Sequence, residues 1–294
     1  MKNYIFLVTF ILLFSSCSNS SHHNHTLKIS TTTWIGYTPL FYAKEKGWLA
    51  EANIKLINVV SLSENMYLYK SGNSDAFCGT QYEYSVLKDR MPTLMPIILF
   101  DRSNGGDIIM SNTSIEALQN SEQTIDAYLE MDSVNFTLLN DFIQKYNINE
   151  KRINYMNRDQ NEIKELKNTT QDKQILIVTY IPFDTKLKKN GFHEILSTKN
   201  GLDLFVVDAM FTQQEELVFH KEQFEGLRDF NNRAITALHN DPKEFYQTIK
   251  FHINELTYEE FTEALGDVEW INSTKDKHLM NRMKKASFPT KDIL

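Results

Sequence analysis

Short apolar runs alternate with helical periodicities over the first two thirds of the chain, and the last third is helical in pattern. The runs Leu27–Trp34, Asn53–Val60, Asp75–Thr80, Pro96–Phe100 and Gly106–Ser111 predict five strands. Between them, Thr38 as N-cap with Pro39 at the first helical position predicts a helix that Gly47 stops. Ser63 predicts the cap of a helix through Tyr69, ended by Gly72, and another helix is expected over Tyr82–Asp89. The middle of the chain repeats the alternation. A helix capped by Ser133 runs to about Tyr146, a strand covers Arg152–Met156 and a helix Asn161–Lys167. The unbroken run Gln174–Tyr180 reads as a strand covered on both faces. Pro182 opens a short helix that Gly191 closes, and Leu202–Met210 is the last strand expected. Beyond Glu215 only helices are expected, restarting at Asp241–Pro242 and at Thr257. Strands that alternate with helices imply an α/β architecture.

The N-terminus carries a different signal. Lys2 precedes the apolar run Tyr4–Phe14, and Ser15, Ser16 and Cys17 follow. A basic start, a short apolar stretch and small residues read as a secretory signal peptide over 1–16. The apolar stretch falls well short of the roughly 20 residues that span a bilayer. "LLFSSC" resembles the lipobox of bacterial lipoproteins, with Phe14 where leucine is usual. That resemblance implies lipidation at Cys17, a polar tether over 17–26 and a soluble body anchored to the cell envelope through lipid. His22, His23 and His25 lie on the tether with nothing beside them to orient the rings, so no metal site is expected. The chain has 31 Lys+Arg against 38 Asp+Glu, a net charge of −7, without a basic patch, which argues against nucleic acid as a partner. Cys78 is the remaining cysteine, so a lipidated Cys17 leaves no intramolecular disulfide.

Four stretches carry a family likeness: "WIGYTPLFYAKEKGWL" (34–49), "GNSDAFCGTQYEYSVL" (72–87), "DRSNGGDIIMSNTSIEAL" (101–118) and "VTYIPFDTKLKKNGFHEILST" (178–198). In order and spacing they resemble the type II periplasmic substrate-binding proteins of ABC importers, in the nitrate, sulfonate and taurine branch that shares its fold with thiamine-pyrimidine-precursor binders. Ile181 stands where that family has an acidic residue before the proline, and "LQNSEQTI" lacks the family's glycine. The resemblance implies two lobes joined by two crossover strands, near Ser103–Asp107 and near Phe205–Asp208. Lobe one would comprise 27–105 with 207–294, including a helical C-terminal region, and lobe two 106–206. It also implies a monomer that binds a small molecule, without a cofactor, and docks on an ABC permease or on a membrane sensor partner.

In open α/β sheets ligands sit beyond the carboxyl ends of the strands. That rule selects Trp34 and Tyr37 after the first strand, Thr80 and Gln81 after the third, Asp101 and Ser103 after the fourth, and Tyr180 after the buried strand of the second lobe. Asp107 lies at a crossover, Asp208 in an apolar run, and Ser133, Val134 and Asn135 at a helix start whose free N–H groups could meet an oxygen. Trp34 and Tyr37 offer flat apolar walls with polar edges, while Gly36 lets the backbone approach. Each residue also has a plainer reading. Trp34 could cover the sheet edge, Gln81 could cap a helix, and Asp101 and Asp107 could bond hinge amides. Cys78 reads as a small hydrophobe, and His193, His220 and His239 as surface residues. Arg102 is the one basic residue at a strand end. A nitrate or sulfonate would want an Arg fork, so a cation, a zwitterion or a neutral heterocycle is the expected ligand. With no histidine at a strand end and no nucleophile–base pair, an enzyme is not expected.

Overall fold

The computed structural model describes residues 25–169, 173–200, 205–253, 256–271, 277–285, 287–291 and 293–294. The expected signal peptide, Cys17 and most of the tether lie outside the described residues. Eleven strands are described: β1 Leu27–Thr31, β2 Ile54–Asn58, β3 Ala76–Thr80, β4 Leu94–Ser103, β5 Asp107–Ser111, β6 Ile125–Leu129, β7 Ile153–Asn157, β8 Gln174–Tyr180, β9 His193–Ser197, β10 Val207–Gln213 and β11 Val268–Trp270. They form a six-stranded sheet in the order β11-β4-β10-β3-β1-β2 and a five-stranded sheet in the order β7-β6-β8-β5-β9. β4 and β5 belong to different sheets, as do β9 and β10, so the chain passes between the sheets twice.

The most apolar runs take the middle of each sheet. β8 is buried at every residue, with β6 and β5 on its two sides. A strand flanked by neighbours and covered on both faces has no solvent side on which to place polar residues. β10 lies between β3 and β4 and is antiparallel to both, whereas β1 runs parallel to β2 and β3. The C-terminal region returns to the first sheet. The amphipathic helix Lys221–Asn240 buries Phe224, Leu227, Ala234, Ile235 and Leu238, and packs against Thr38–Glu45.

Several local expectations need correction. β6, β9 and β11 were not anticipated. β6 alternates buried and half-buried positions over only five residues, too short a pattern to stand out after a polar segment. β9 and β11 are sheet edges carrying His193, Glu194 and Glu269, and edge strands are short and charged. Thr38 is not an N-cap: its hydroxyl donates to Ile35 O at 2.7 Å, because a 3-10 turn over Ile35–Tyr37 precedes the helix. Ser61, rather than Ser63, caps Leu62–Lys70 by accepting from Glu64 N at 3.1 Å. His220 is buried, its ring bonded to Gln223 at 2.6 Å. Thr257 caps its helix as expected, in a reciprocal box with Glu260.

Candidate functional site

Both passages between the sheets are fastened at the same level. Ser103 N donates to Val206 O at 3.1 Å, tying one passage to the other. Thr198 Oγ1 accepts from Gly105 N at 2.8 Å, and Ser103 Oγ accepts from Asp107 N at 3.0 Å. Beside this junction lies a cavity of about 20 Å³ between the strand ends of the two sheets. Trp34, Tyr37, Thr80 and Asp208 line it from the first sheet's side, and Asp107 and Tyr180 from the second's. Strand register explains the convergence: Asp208 lies opposite both Thr80 and Asp101, and Asp107 lies opposite Tyr180.

The aromatic walls are held on their polar edges. Tyr37 OH donates to Asp208 Oδ1 at 2.5 Å. Trp34 Nε1 donates to both oxygens of Asp101, at 3.2 and 3.3 Å. The Trp34 ring meets Tyr180 edge to face at 6.0 Å between centroids, so the two sheets touch through these rings. Gly36 and Gly106 make that seat possible, because a Cβ on the first would run into Asp101 and on the second into the Trp34 ring.

Carboxylates dominate the electrostatics. Asp101, Asp107, Asp208, Glu83 and Glu130 are all buried, and among the described residues no basic side chain lines the cavity. Burial pushes the Asp107 carboxyl up to about 7 and that of Glu130 up to about 8. Burial first and then its Asp101 neighbour hold Asp208 well above the usual carboxylate range, and burial raises Asp101 likewise. Burial also holds the Tyr37 and Tyr180 hydroxyls well above the ordinary tyrosine range. Two polar atoms on the cavity wall, Tyr180 OH and Thr32 Oγ1, are buried without a hydrogen-bond partner. A buried polar group left unpaired costs about 1–3 kcal/mol, so both mark places where a ligand would be welcome.

Seven of the twelve sequence-selected residues line the cavity: Trp34, Tyr37, Thr80, Asp107, Val134, Tyr180 and Asp208. The other five do different work or lie elsewhere; Ser103 and Ser133 bond backbone groups of Asp107 and Glu130. Gln81 Nε2 donates to Phe205 O at 2.5 Å and its Oε1 accepts from Val207 N at 3.0 Å, which ties β3's end to the second passage. Asp101 sits behind Trp34. Asn135 is buried with neither side-chain atom bonded and is not on the wall. Sequence reasoning missed Thr32, Leu62 and Val206 on the wall, and the carboxylates Glu83 and Glu130 behind it.

No family model matches the sequence, and no curated protein matches it. Solved structures do match in shape. The ligand-binding component of an ABC-type import system from Staphylococcus aureus, determined with zinc bound, is similar with a TM-score of 0.70 at 14% identity, over 89% of this chain and 90% of that one. The alkanesulfonate-binding protein of Xanthomonas axonopodis pv. citri, bound to MOPS, gives a TM-score of 0.67 at 11% identity, over 92% of this chain and 96% of that one. The periplasmic nitrate-binding protein of Synechocystis PCC 6803 gives 0.62 at 13% identity, over 80% of this chain and 68% of that one. The two sheets and the paired passages between them are therefore the periplasmic binding protein fold, in the form found in the sulfonate- and nitrate-binding components of ABC importers.

Proposed function

We propose that this chain is a lipid-anchored solute-binding receptor that captures a small organic cation, or the cationic end of a zwitterion, and delivers it to an ABC permease. The observation that carries the reading is the cavity wall: Asp107 and Asp208 reach it from the two sheets, Trp34, Tyr37 and Tyr180 share it, and no basic side chain among the described residues lines it. Trp34, Tyr37 and Tyr180 give an ammonium or amidinium group π faces as well as carboxylates, and a desolvated cation–π contact is worth about 2 kcal/mol. Among the described residues no group of three or more His, Cys, Asp or Glu is arranged to hold a metal ion, which favours an organic cation over a divalent metal.

The anchor part of the reading rests on "LLFSSC". Replacing Cys17→Ser is expected to move the protein from the membrane to the soluble fraction, and unchanged membrane retention would remove the lipid anchor from the reading. For the ligand, the test is a thermal-shift screen of alkylammonium, guanidinium and diammonium ions and amino acids against nitrate and methanesulfonate. A ligand at 100 times its Kd stabilises by about 2.7 kcal/mol. Stabilisation by the anions alone would sink the cation reading.

A further inference from the structure

Two long helices point their N-termini at the cavity from opposite sides. Leu62–Lys70 follows β2 in the first sheet's half, and Val134–Lys145 follows β6 in the second's. The first residue of each, Leu62 and Val134, lies on the cavity wall. A helix N-terminus carries free N–H groups and about half a positive charge, which makes it an anion-binding end. Neither amide is free here. Leu62 N donates to Glu130 Oε2 at 3.1 Å, and Val134 N donates to Glu83 Oε1 at 3.3 Å. Each glutamate comes from the opposite half: Glu130 follows β6, and Glu83 belongs to the helix Gln81–Leu87 that follows β3. The arrangement is reciprocal, and both carboxylates are buried, Glu83 at 1% and Glu130 at 2% exposure.

The two are also held from behind. Glu83 Oε2 accepts from Thr80 N at 2.7 Å and from Thr80 Oγ1 at 2.5 Å. The backbone carbonyl of Glu130 accepts from Ser133 Oγ at 2.8 Å, at the turn into the second helix. The other Glu130 oxygen, Oε1, is buried without a partner.

We infer that Glu83 and Glu130 are specificity-determining residues whose carboxyl oxygens stand in for an anion at the two helix ends. Each fills, from across the cleft, the helix end that a negatively charged solute would otherwise use, and together they fasten the two halves. An anionic solute would have to displace a buried carboxylate and then face Asp107 and Asp208. A cationic or neutral solute leaves both bonds in place. This inference rests on the receptor reading but not on the identity of its ligand.

The test uses the full chain and its E83Q, E130Q and E83Q/E130Q variants, since glutamine keeps shape and an acceptor oxygen while removing the charge. Sulfate and methanesulfonate are the probes, read by thermal shift and by calorimetry. The wild type is expected to be unresponsive, and the double variant to bind at least one of the two anions at least tenfold more tightly. Should the double variant fail to fold, E130Q decides by the same comparison. Small-angle scattering on the ligand-free proteins gives a second reading, with a larger radius of gyration expected when the charges are removed. Anion binding by the wild type equal to that of the variants overturns the inference, and so does an unresponsive variant with an unchanged radius. The outcomes separate from those of the cation screen. A wild type that binds no cation, beside a variant that gains anions, would refute the ligand class alone. A wild type that binds cations, beside variants that gain nothing, would refute this inference alone.

Discussion

The two halves of the molecule meet in two places that are built on opposite principles. At the outer rim, charges come in pairs. Lys189 Nζ lies 2.7 Å from Glu260 Oε1 and Lys199 Nζ 2.9 Å from Asp267 Oδ1, each joining a lysine near the second sheet to an acid of the C-terminal region. At the centre, five carboxylates gather without one basic side chain on the cavity wall. The rim is self-sufficient and partly wet, whereas the centre is dry and one-signed. Burying a like-signed group of carboxylates without cations is costly unless they hold protons or a partner arrives. On the reading proposed above, a cation is the partner that would offset this cost.

The sharpest way to break the contrast is to remove its aromatic centrepiece. Trp34 is 5% exposed, bonds Asp101 and rests on Gly106. Trp34→Ala should cost about 3–5 kcal/mol of stability, seen as a lower denaturation midpoint. A loss below about 1 kcal/mol would mean the ring is not part of the packed junction. Next come the carboxylates. Removing one partner of a buried charge pair costs about 2–5 kcal/mol, so Asp208→Asn and Asp107→Asn should each weaken a cationic ligand by at least about 30-fold in calorimetric titration. Asp107→Asn carries a second signature: at pH 8 it should make the ligand-free protein more stable, because it deletes a buried charge.

That signature follows from the direction of the shifts. A carboxyl whose folded pKa is raised binds its proton more readily folded than unfolded. Its contribution is full below the unfolded value of about 4 and is lost as pH rises through the folded value. For Asp107 the window runs up to about 7, and for Glu130 up to about 8. Melting of the ligand-free protein between pH 5 and 8.5 should therefore show stability falling with pH, by up to about 1.4 kcal/mol per unit for each group. Cation affinity should rise over the same range, with protons released on binding. A flat profile in both would dissolve the distinction between centre and rim. The smallest effect belongs to the rim. Lys189→Ala breaks a pair whose members are 63% and 24% exposed, and should change stability by about 1 kcal/mol or less, with a larger share at low salt.

How far the sequence foretold this depends on the range over which each feature is encoded. β8 and the helix behind Ser133 were legible because a continuous apolar run and a capping serine are local signals. β6 and β9 were not, since five residues at or near a sheet edge, only some of them buried, carry too weak a pattern. At the site, Trp34, Tyr37, Thr80 and Tyr180 follow from a rule about strand ends, Asp107 from its place at a crossover and Asp208 from a carboxylate standing in an apolar run. Gln81 met the same rule, yet its amide serves the backbone of Phe205 and Val207, contacts made across more than a hundred residues of chain. Glu83 and Glu130 were missed for the same cause. A glutamate in a helix and one in a turn look solvated until the opposite half arrives.

Gly106 sits on the first passage between the sheets with the edge of the Trp34 indole resting where a side chain would begin. One methyl group there would behave like a doorstop. Gly106→Ala should leave each sheet's own core untouched while wedging the two halves apart at the Trp34 ring.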